Sequence, residues 1–215
     1  EQVRAVQPEG PYLLGGWSLG GTLAYEMAKE LRRQGQEVAL LVLLDSFAPT
    51  GRPTPEPDPA TLLAGFAADL ARSAGRELSL TPESLTGLSP EKQLHTLWTH
   101  VREAGLLPPG TGLEELQVLM EVARANLRAV AGYSPEPYEG RMLLLRARDA
   151  RRGAGVDATH GWGRLAASVL TVEDLPGDHH GILRAPHVHE LAERLTRWLA
   201  EVEGAESGRG ERGTG

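Results

Sequence analysis

Four apolar runs occur along the chain, and helically spaced residues follow the first and last of them. The runs occupy residues 11–14, 38–44 and 141–147 and, more weakly, 168–175. The second run is continuous rather than alternating, which is typical of a strand covered on both faces of a parallel sheet. Apolar positions at helical spacing predict one helix from Gly20 to Gln34 and a closing helix from Val188 to Val202. Strand, helix and strand in this order predict an α/β fold that binds ligands beyond the carboxyl ends of its strands.

The region between the second and third runs has a different pattern. Five prolines from Pro49 to Pro59 break regular structure, and three amphipathic stripes follow. The stripes are Leu62, Leu63, Phe66, Leu70 and Ala71, then Leu94, Leu97, Trp98 and Val101 after Ser89-Pro90, then Leu113, Leu116, Met120, Ala123, Leu127 and Val130. We interpret residues 49–132 as a helical lid inserted into a domain spanning 1–203, although each stripe alone is more typical of a buried core, because patterned helices usually bury their stripe.

Composition narrows the class of protein. The chain has 215 residues, 40% hydrophobic content, a net charge of −7 and no cysteine. This balance argues against a nucleic acid or an anionic membrane as partner, and the missing cysteines exclude disulfides and thiolate chemistry. No apolar stretch is long enough for a membrane span, so we expect a cytoplasmic location. The polar, glycine-rich segment 204–215 predicts a disordered tail, and the start at Glu1 indicates a piece of a longer chain.

The candidate chemistry begins at Gly16-Trp17-Ser18-Leu19-Gly20, which has the form G-x-S-x-G. Between a strand and a helix, this motif presents a serine on a strained turn, and a larger residue at Gly16 or Gly20 is expected to collide with that turn. We interpret Ser18 as a nucleophile. The backbone N–H of Leu19, at the start of the helix, is placed to stabilise an oxyanion. The alternative is a glycine-rich turn in which the serine only caps the helix.

A serine nucleophile needs a base and an acid that orients the base. Asp45 follows the second hydrophobic run, and His179 lies in a glycine-flanked turn after the fourth, which completes the order Ser, Asp, His found in α/β-hydrolases. Asp149, after the third run, is a rival acid. Arginines at 146, 148, 151 and 152 favour an exposed ion pair for Asp149, whereas Asp45 ends a buried strand, so we prefer Asp45.

Other histidines surround the predicted base. His180 is its direct neighbour and could be confused with it, and His187 and His189 follow a few residues later. Four histidines could indicate a metal site, but no aspartate or glutamate is spaced with them as a ligand. We therefore expect no metal and no bound cofactor.

Three segments together resemble a known family: Gly15 to Gly21, Leu43-Leu44-Asp45-Ser46, and Pro176-Gly177-Asp178-His179 with Pro186-His187-Val188. They look like the terminal (type I) thioesterase domains of non-ribosomal peptide synthetases and polyketide synthases. The resemblance implies an α/β-hydrolase fold with a mobile lid. It also implies that Ser18 takes an acyl or peptidyl chain from the 4'-phosphopantetheine of an upstream carrier domain and releases it by hydrolysis or macrocyclisation. The family's acid and base match Asp45 and His179.

The sequence departs from the family's pattern at its start. The family has further strands before the serine motif, and a loop there supplies the second oxyanion N–H, so we expect the N-terminal strands to be missing from this chain. Two alternatives stay open on the sequence alone. One is a stand-alone proofreading (type II) thioesterase or a general serine esterase, and the other is a catalytically inactive hydrolase-like binding domain.

Overall fold

The computed structural model describes residues 2–52, 55–149 and 157–210, with the side chains of 205–210 left aside. The chain divides into two compact units. The first comprises Glu1–Thr50 and Pro135–Gly215, and the second is Gly51–Ser134. The predicted insertion, from 49 to 132, therefore differs from the second unit by two residues at each end.

The first unit is built on a four-stranded sheet with the order β1-β2-β3-β4. The strands are β1 (Tyr12–Trp17), β2 (Val38–Leu44), β3 (Met142–Ala147) and β4 (Leu170–Leu175), and every neighbouring pair is parallel. A short helix α1 (Gln2–Val6) precedes the sheet, and α2 (Leu19–Arg33) connects β1 to β2. All four predicted strands are present, so the α/β class and the parallel sheet are confirmed.

The first strand is longer than its hydrophobic run. The run stops at Leu14, but β1 continues through Gly15 and Gly16, and its last residue Trp17 pairs with Leu44. Glycine is uncommon inside strands because it contributes no side chain to the packing, so the pattern ended the strand too early. The backbone pairing with β2 carries the strand to the residue before Ser18.

The unbroken hydrophobic run of β2 is explained by burial on both faces. Leu41 and Leu43 join one core, which also contains Tyr25 and Trp162. Leu40 and Val42 join a second core, to which the closing helix contributes Trp198. Because neighbouring strand residues point to opposite faces, a strand between two cores has no position for a polar residue until it ends. The first such position is Asp45.

Helices joined by loops make up the described part of the second unit, which contains no strand. Its helices are α3 (Pro59–Ser73), α4 (Pro82–Leu85), α5 (Pro90–Glu103) and α6 (Leu113–Ala131). The α5 helix starts as the sequence predicts, since the Ser89 side chain caps it at 3.4 Å from the N–H of Lys92 and Pro90 is its first residue. The three stripes meet in a core of their own, with Leu63, Leu97 and Leu116 buried in it. The stripes therefore serve as core, while a role as a lid stays a prediction.

The chain closes with a 3₁₀ turn (Gly181–Leu183) and helix α7 (His187–Gly210). This helix extends beyond the predicted end at Val202 into the segment for which we expected disorder. Propagating an existing helix by one residue costs far less than nucleating one, which explains a helix that outlasts its buried face. Residues 211–215 lie outside the described residues. Within the described part, no helix combines the length and the apolar character that crossing a bilayer requires.

Candidate active site

Ser18 occupies a strained turn between β1 and α2. Its backbone has φ 54° and ψ −123°, outside the regions that side-chain-bearing residues ordinarily adopt. Backbone hydrogen bonds hold the turn: the Ser18 N–H donates to the carbonyl of Leu44 at 3.0 Å, and its carbonyl accepts from the N–H of Gly21 at 3.1 Å. The serine hydroxyl makes no capping hydrogen bond to α2, so the alternative of a helix-capping serine is wrong. The strain is instead that of a serine presented at the carboxyl end of a strand.

The glycines around Ser18 are not equivalent. A Cβ at Gly16 would overlap the carbonyl of Gly20, and a Cβ at Gly21 would lie 2.5 Å from the Cβ of Ser46. A Cβ at Gly20 would meet nothing within 4 Å, so the prediction of a collision there is wrong. Helix α2 comes close to the ends of the strands because Gly16 and Gly21 have no side chains. At Gly20 it is the backbone that lies against Gly16. The motif therefore fixes the turn by packing helix α2 against the ends of β1 and β2.

Asp45 directly follows β2 and is fully buried. Its backbone has φ 41°, and its N–H donates to the carbonyl of Leu145 at 2.7 Å. The carboxylate accepts two hydrogen bonds, from the N–H of Ala147 to Oδ1 at 2.9 Å and between Oδ2 and Nδ1 of His179 at 2.7 Å. A buried carboxylate is costly unless such partners replace its water. The structure thus brings together two of the three predicted residues.

His179 lies in the turn after β4, with its side chain 30% exposed. Its ring stacks on the indole of Trp17 at 4.7 Å between centroids, and its carbonyl accepts from the indole N–H of Trp17 at 3.0 Å. The Asp178 carboxylate shapes the turn by accepting from the N–H groups of His180 and Gly181. Since Trp17 immediately precedes Ser18, the imidazole is held beside the turn that carries Ser18.

The structure separates His179 from its neighbour. The ring of His180 lies edge-on to both Trp17 and His179, and the residue is 6% exposed. The hydrogen bond to the carboxylate of Asp45 is made by His179. Among the described residues, no group of three or more His, Asp or Glu side chains is arranged to hold a metal ion.

The carboxylate that His179 contacts is that of Asp45 and not that of the rival acid, Asp149. Asp149 is exposed, and its backbone N–H donates to the carbonyl of Gly177 at 3.1 Å. Of the arginines around it, Arg146 pairs with Asp174, at 2.7 Å between Nε and Oδ1. The other arginines expected to pair with it include Arg151 and Arg152, which lie outside the described residues.

Leu19 is the first residue of helix α2. The first N–H groups of a helix have no carbonyl partner within the helix and carry the positive end of its dipole. The predicted oxyanion donor, the N–H of Leu19, therefore belongs to the same turn that presents Ser18.

Sequence reasoning missed two residues of this region. Trp17 occupies an unspecified position of the motif, so only the three-dimensional structure shows that it contacts His179. His160 lies in an irregular segment with no hydrophobic pattern, yet its ring is buried and its Nδ1 lies 3.9 Å from Oδ1 of Asp45. No spacing rule links His160 to Asp45, because the loop between β3 and β4 brings it there.

The comparison with protein families decides the assignment, since the Thioesterase domain family matches residues 1–199. The chain belongs to the thioesterase domain family. Thioesterase domains of this kind adopt the α/β-hydrolase fold, and the resemblance drawn from the sequence is confirmed.

Relatives of this thioesterase domain are much longer proteins. Chondramide synthase of Chondromyces crocatus is 31% identical over 207 residues, which is 93% of this chain and 5% of that protein. A non-reducing polyketide synthase of an Arthrinium species is 30% identical over 204 residues, which is 93% of this chain and 10% of that protein. The chain thus spans no more than a tenth of these relatives.

Solved structures give the same picture. A holo four-domain non-ribosomal peptide synthetase, bound to AMP and glycine, matches with a TM-score of 0.86 and 33% identity over 92% of this chain and 15% of that one. The thioesterase domain NocB, in covalent complex with a fluorophosphonate nocardicin G analogue, matches with a TM-score of 0.56 and 31% identity over 93% of this chain and 70% of that one.

Proposed function

We propose that this thioesterase domain releases a finished acyl or peptidyl chain from the 4'-phosphopantetheine of a carrier domain through an ester on Ser18. The observation that carries the proposal is the contact between Asp45 and His179, at 2.7 Å, with the imidazole stacked on the residue that precedes Ser18. A serine on a strained turn, an imidazole beside it and a buried carboxylate behind the imidazole are the parts that acyl transfer requires.

The chemistry follows from these positions. His179 takes the proton of the Ser18 hydroxyl through Nε2 as the oxygen attacks the thioester carbonyl, while Nδ1–H stays bonded to Asp45. The N–H of Leu19 stabilises the tetrahedral oxyanion. Collapse expels the pantetheine thiolate, which receives the proton from His179, and leaves the acyl group on Ser18. Water, or a hydroxyl or amine of the chain, then attacks the ester with His179 again acting as base.

The carrier-bound substrate is supported by the relatives. Relatives that match over most of this chain include chondramide synthase and a non-reducing polyketide synthase, and the four-domain non-ribosomal peptide synthetase is described as holo. Synthases of these kinds hold their growing chains as thioesters, which a serine thioesterase can accept. A carrier domain and an acyl or peptidyl thioester are therefore the partner and substrate that we propose.

For the helical unit Gly51–Ser134 we propose control of the acyl chain and of water access. Its α6 helix exposes Val118, Leu119 and Val122, an apolar surface in addition to the buried core of the unit. An apolar cover over an ester both binds a hydrophobic chain and excludes solvent. Replacing residues 51–134 with the corresponding segment of a relative should change the ratio of cyclic to hydrolysed product, and an unchanged ratio would reduce the unit to scaffold.

The nucleophile is tested with a fluorophosphonate probe followed by mass spectrometry of the labelled peptide. We expect a single adduct on Ser18, and complete loss of labelling in Ser18→Ala. Ser46, whose hydroxyl is buried next to Gly21, supplies the matched control, because Ser46→Ala should retain the adduct. Labelling that survives Ser18→Ala would refute the assignment.

The substrate is tested separately from the nucleophile. The full-length protein is offered a chain on a carrier domain and the same chain as a simple oxygen ester. We expect the carrier-bound thioester to be released with much the higher kcat/KM, since the proposal requires recognition of the carrier arm. Equal use of both would favour the alternative of a general serine esterase.

A further inference from the structure

We propose that His160 is a positioning residue for Asp45, donating a hydrogen bond from Nδ1 to the carboxylate oxygen that His179 does not use. The inference rests on the proposed function, because it assigns Asp45 the role of orienting the base. Nδ1 of His160 lies 3.9 Å from Oδ1 of Asp45, whereas His179 occupies Oδ2. The two histidines thus address different oxygens of one buried carboxylate.

The Nδ1 atom of His160 lacks another partner in the described structure. It is buried and makes no hydrogen bond there, and the side chain is only 2% exposed. Buried polar atoms are nearly always paired, so an unpaired one near a carboxylate calls for an explanation. The distance to Oδ1 exceeds a hydrogen bond by roughly 1 Å, which a small movement of the ring can close.

The loop that carries His160 is fastened to the residues that follow Asp45. The ring of His160 stacks on that of Phe47 at 4.0 Å with an interplanar angle of 6°, and its carbonyl accepts from the N–H of Ala48 at 2.9 Å. Two positions further on, the indole N–H of Trp162 donates to the carbonyl of Ser46 at 2.8 Å. Three successive residues after Asp45 are therefore held by one loop, which keeps His160 and the carboxylate in register.

The backbone of His160 is also strained, with φ 49°. Such a conformation is uncommon for residues with side chains and tends to occur where a side chain must be aimed in a particular direction. The carboxylate of Asp157 stabilises the turn by accepting from the N–H groups of Thr159 and Gly161 at 2.9 Å each.

Burial also decides the charge of His160. It lowers the pKa of His160 below its usual value and outweighs the charges of Asp45 and Asp157 and the backbone of Ser46, which act in the opposite direction, while Arg146 acts with the burial. A neutral imidazole has one N–H, and placing it on Nδ1 gives the ring a donor toward Asp45.

The consequence concerns the base. A third hydrogen bond draws electron density from the carboxylate, so Asp45 stabilises the protonated form of His179 less. Within the described part of the chain, the ring of His179 contacts the Asp45 carboxylate, the indole of Trp17 and the edge of His180, and of these three the carboxylate is the charged group through which His160 can act.

The test compares three variants of the full-length protein, labelled with ¹³C at histidine Cε1. His160→Phe keeps the ring stacked on Phe47 but has no donor. His160→Asn places an amide nitrogen where Nδ1 lies and tolerates the left-handed backbone. His160→Gln places its amide farther out, near the position of Nε2. We expect the NMR titration midpoint of His179 to rise by about 0.5 to 1 pH unit in the Phe and Gln variants, and to change by less than about 0.2 in the Asn variant.

The rate of Ser18 labelling by a fluorophosphonate should follow the same titration. At a pH well below the midpoint we expect a loss of about three- to tenfold in the Phe and Gln variants, with the rate recovered above the midpoint. If His160→Phe does not fold, the Asn and Gln pair decides. An unchanged midpoint in Gln, or equal shifts in Asn and Gln, overturns the proposal and leaves His160 a packing residue. Because the titration is read without catalysis, failure to label Ser18 would count against the proposed function alone.

Discussion

The carboxyl ends of β2 and β3 are neighbours in the sheet, and each is followed by an aspartate in a different setting. Asp45, after β2, is fully buried, and both of its carboxylate oxygens accept hydrogen bonds. Asp149, after β3, is exposed on a surface where Arg146 pairs with Asp174. Chain order alone permits either to be the triad acid.

The comparison shows that the surroundings of an aspartate at the end of a strand, and not its place in the chain order, determine whether it can orient a histidine. At the end of β2, the backbone of β3, the turn after β4 and the loop carrying His160 all converge on one carboxylate. When a buried carboxylate loses a hydrogen-bond partner, water cannot take the place of that partner. At the exposed end, water can replace a lost partner. Substitutions should therefore have large effects at the first end and small effects at the second.

The largest expected effect comes from Asp45→Asn. The amide removes the negative charge that holds the Nδ1–H tautomer of His179, so we expect kcat to fall by about 10⁴-fold. Steady-state kinetics measures the loss, and circular dichroism verifies the fold. A decrease in kcat of less than tenfold would show that Asp45 does not orient His179, and the contrast with Asp149 would fail.

The next effect concerns packing at the same end. In Gly21→Ala the new methyl group meets Ser46, the residue after Asp45, and we expect a loss of about 1 to 3 kcal/mol in the free energy of unfolding. The matched control is Gly20→Ala, one residue earlier in α2, where a Cβ meets nothing within 4 Å. Denaturant titration should show the control unchanged or stabilised by up to about 1 kcal/mol, since alanine favours helix. Equal losses in both variants would contradict the packing argument.

At the exposed end, Asp149→Asn should change kcat/KM by less than about threefold, because its carboxyl group is surrounded by solvent. The measurement uses the same assay as for Asp45→Asn. A loss of several orders of magnitude would transfer the role of triad acid to Asp149.

The smallest effect is expected from Asp174→Asn, which removes the ion pair with Arg146. That hydrogen bond lowers the pKa of Asp174 in the folded protein, so its contribution to stability is present above the unfolded pKa and is lost as the pH falls through the folded pKa. The pair is partly exposed, and we expect at most about 1 kcal/mol at pH 7. Thermal unfolding of both proteins should differ slightly at pH 7, and the difference should shrink as the pH falls below 3.8, the ordinary pKa of an aspartate carboxyl. A difference that does not shrink below that pH would show that the loss is not electrostatic.

Much of this contrast was accessible from the sequence. The unbroken run of β2 predicts burial, and burial of the following acid implies a partner, which the contact with His179 provides. The limits are equally physical. Sequence patterns register side chains, so they ended β1 at its glycines and assigned a collision to Gly20, although the backbone of Gly20 is what approaches Gly16.

Contacts between loops that are distant in the sequence could not be predicted, for a further reason. His160 reaches Asp45 through a loop whose path follows no period, and its burial depends on stacking with Phe47. In the helical unit, periodicity located α6 but did not separate its buried residues from its exposed ones. Leu116 is buried and Leu127 is 47% exposed although both belong to the predicted stripe.

Trp17 gives the candidate site a mechanical property. One indole contacts both the ring and the carbonyl of His179, which lies 162 residues farther along the chain, and its own backbone continues directly into Ser18. Any displacement of the histidine turn is therefore transmitted to the turn that carries Ser18. Because the proposed reaction uses His179 twice, first to form the ester and later to activate water or an internal nucleophile, this coupling preserves the alignment that the proposal requires during the lifetime of the ester. Trp17 thus connects the Ser18 turn to the His179 turn, two segments that lie far apart in the sequence.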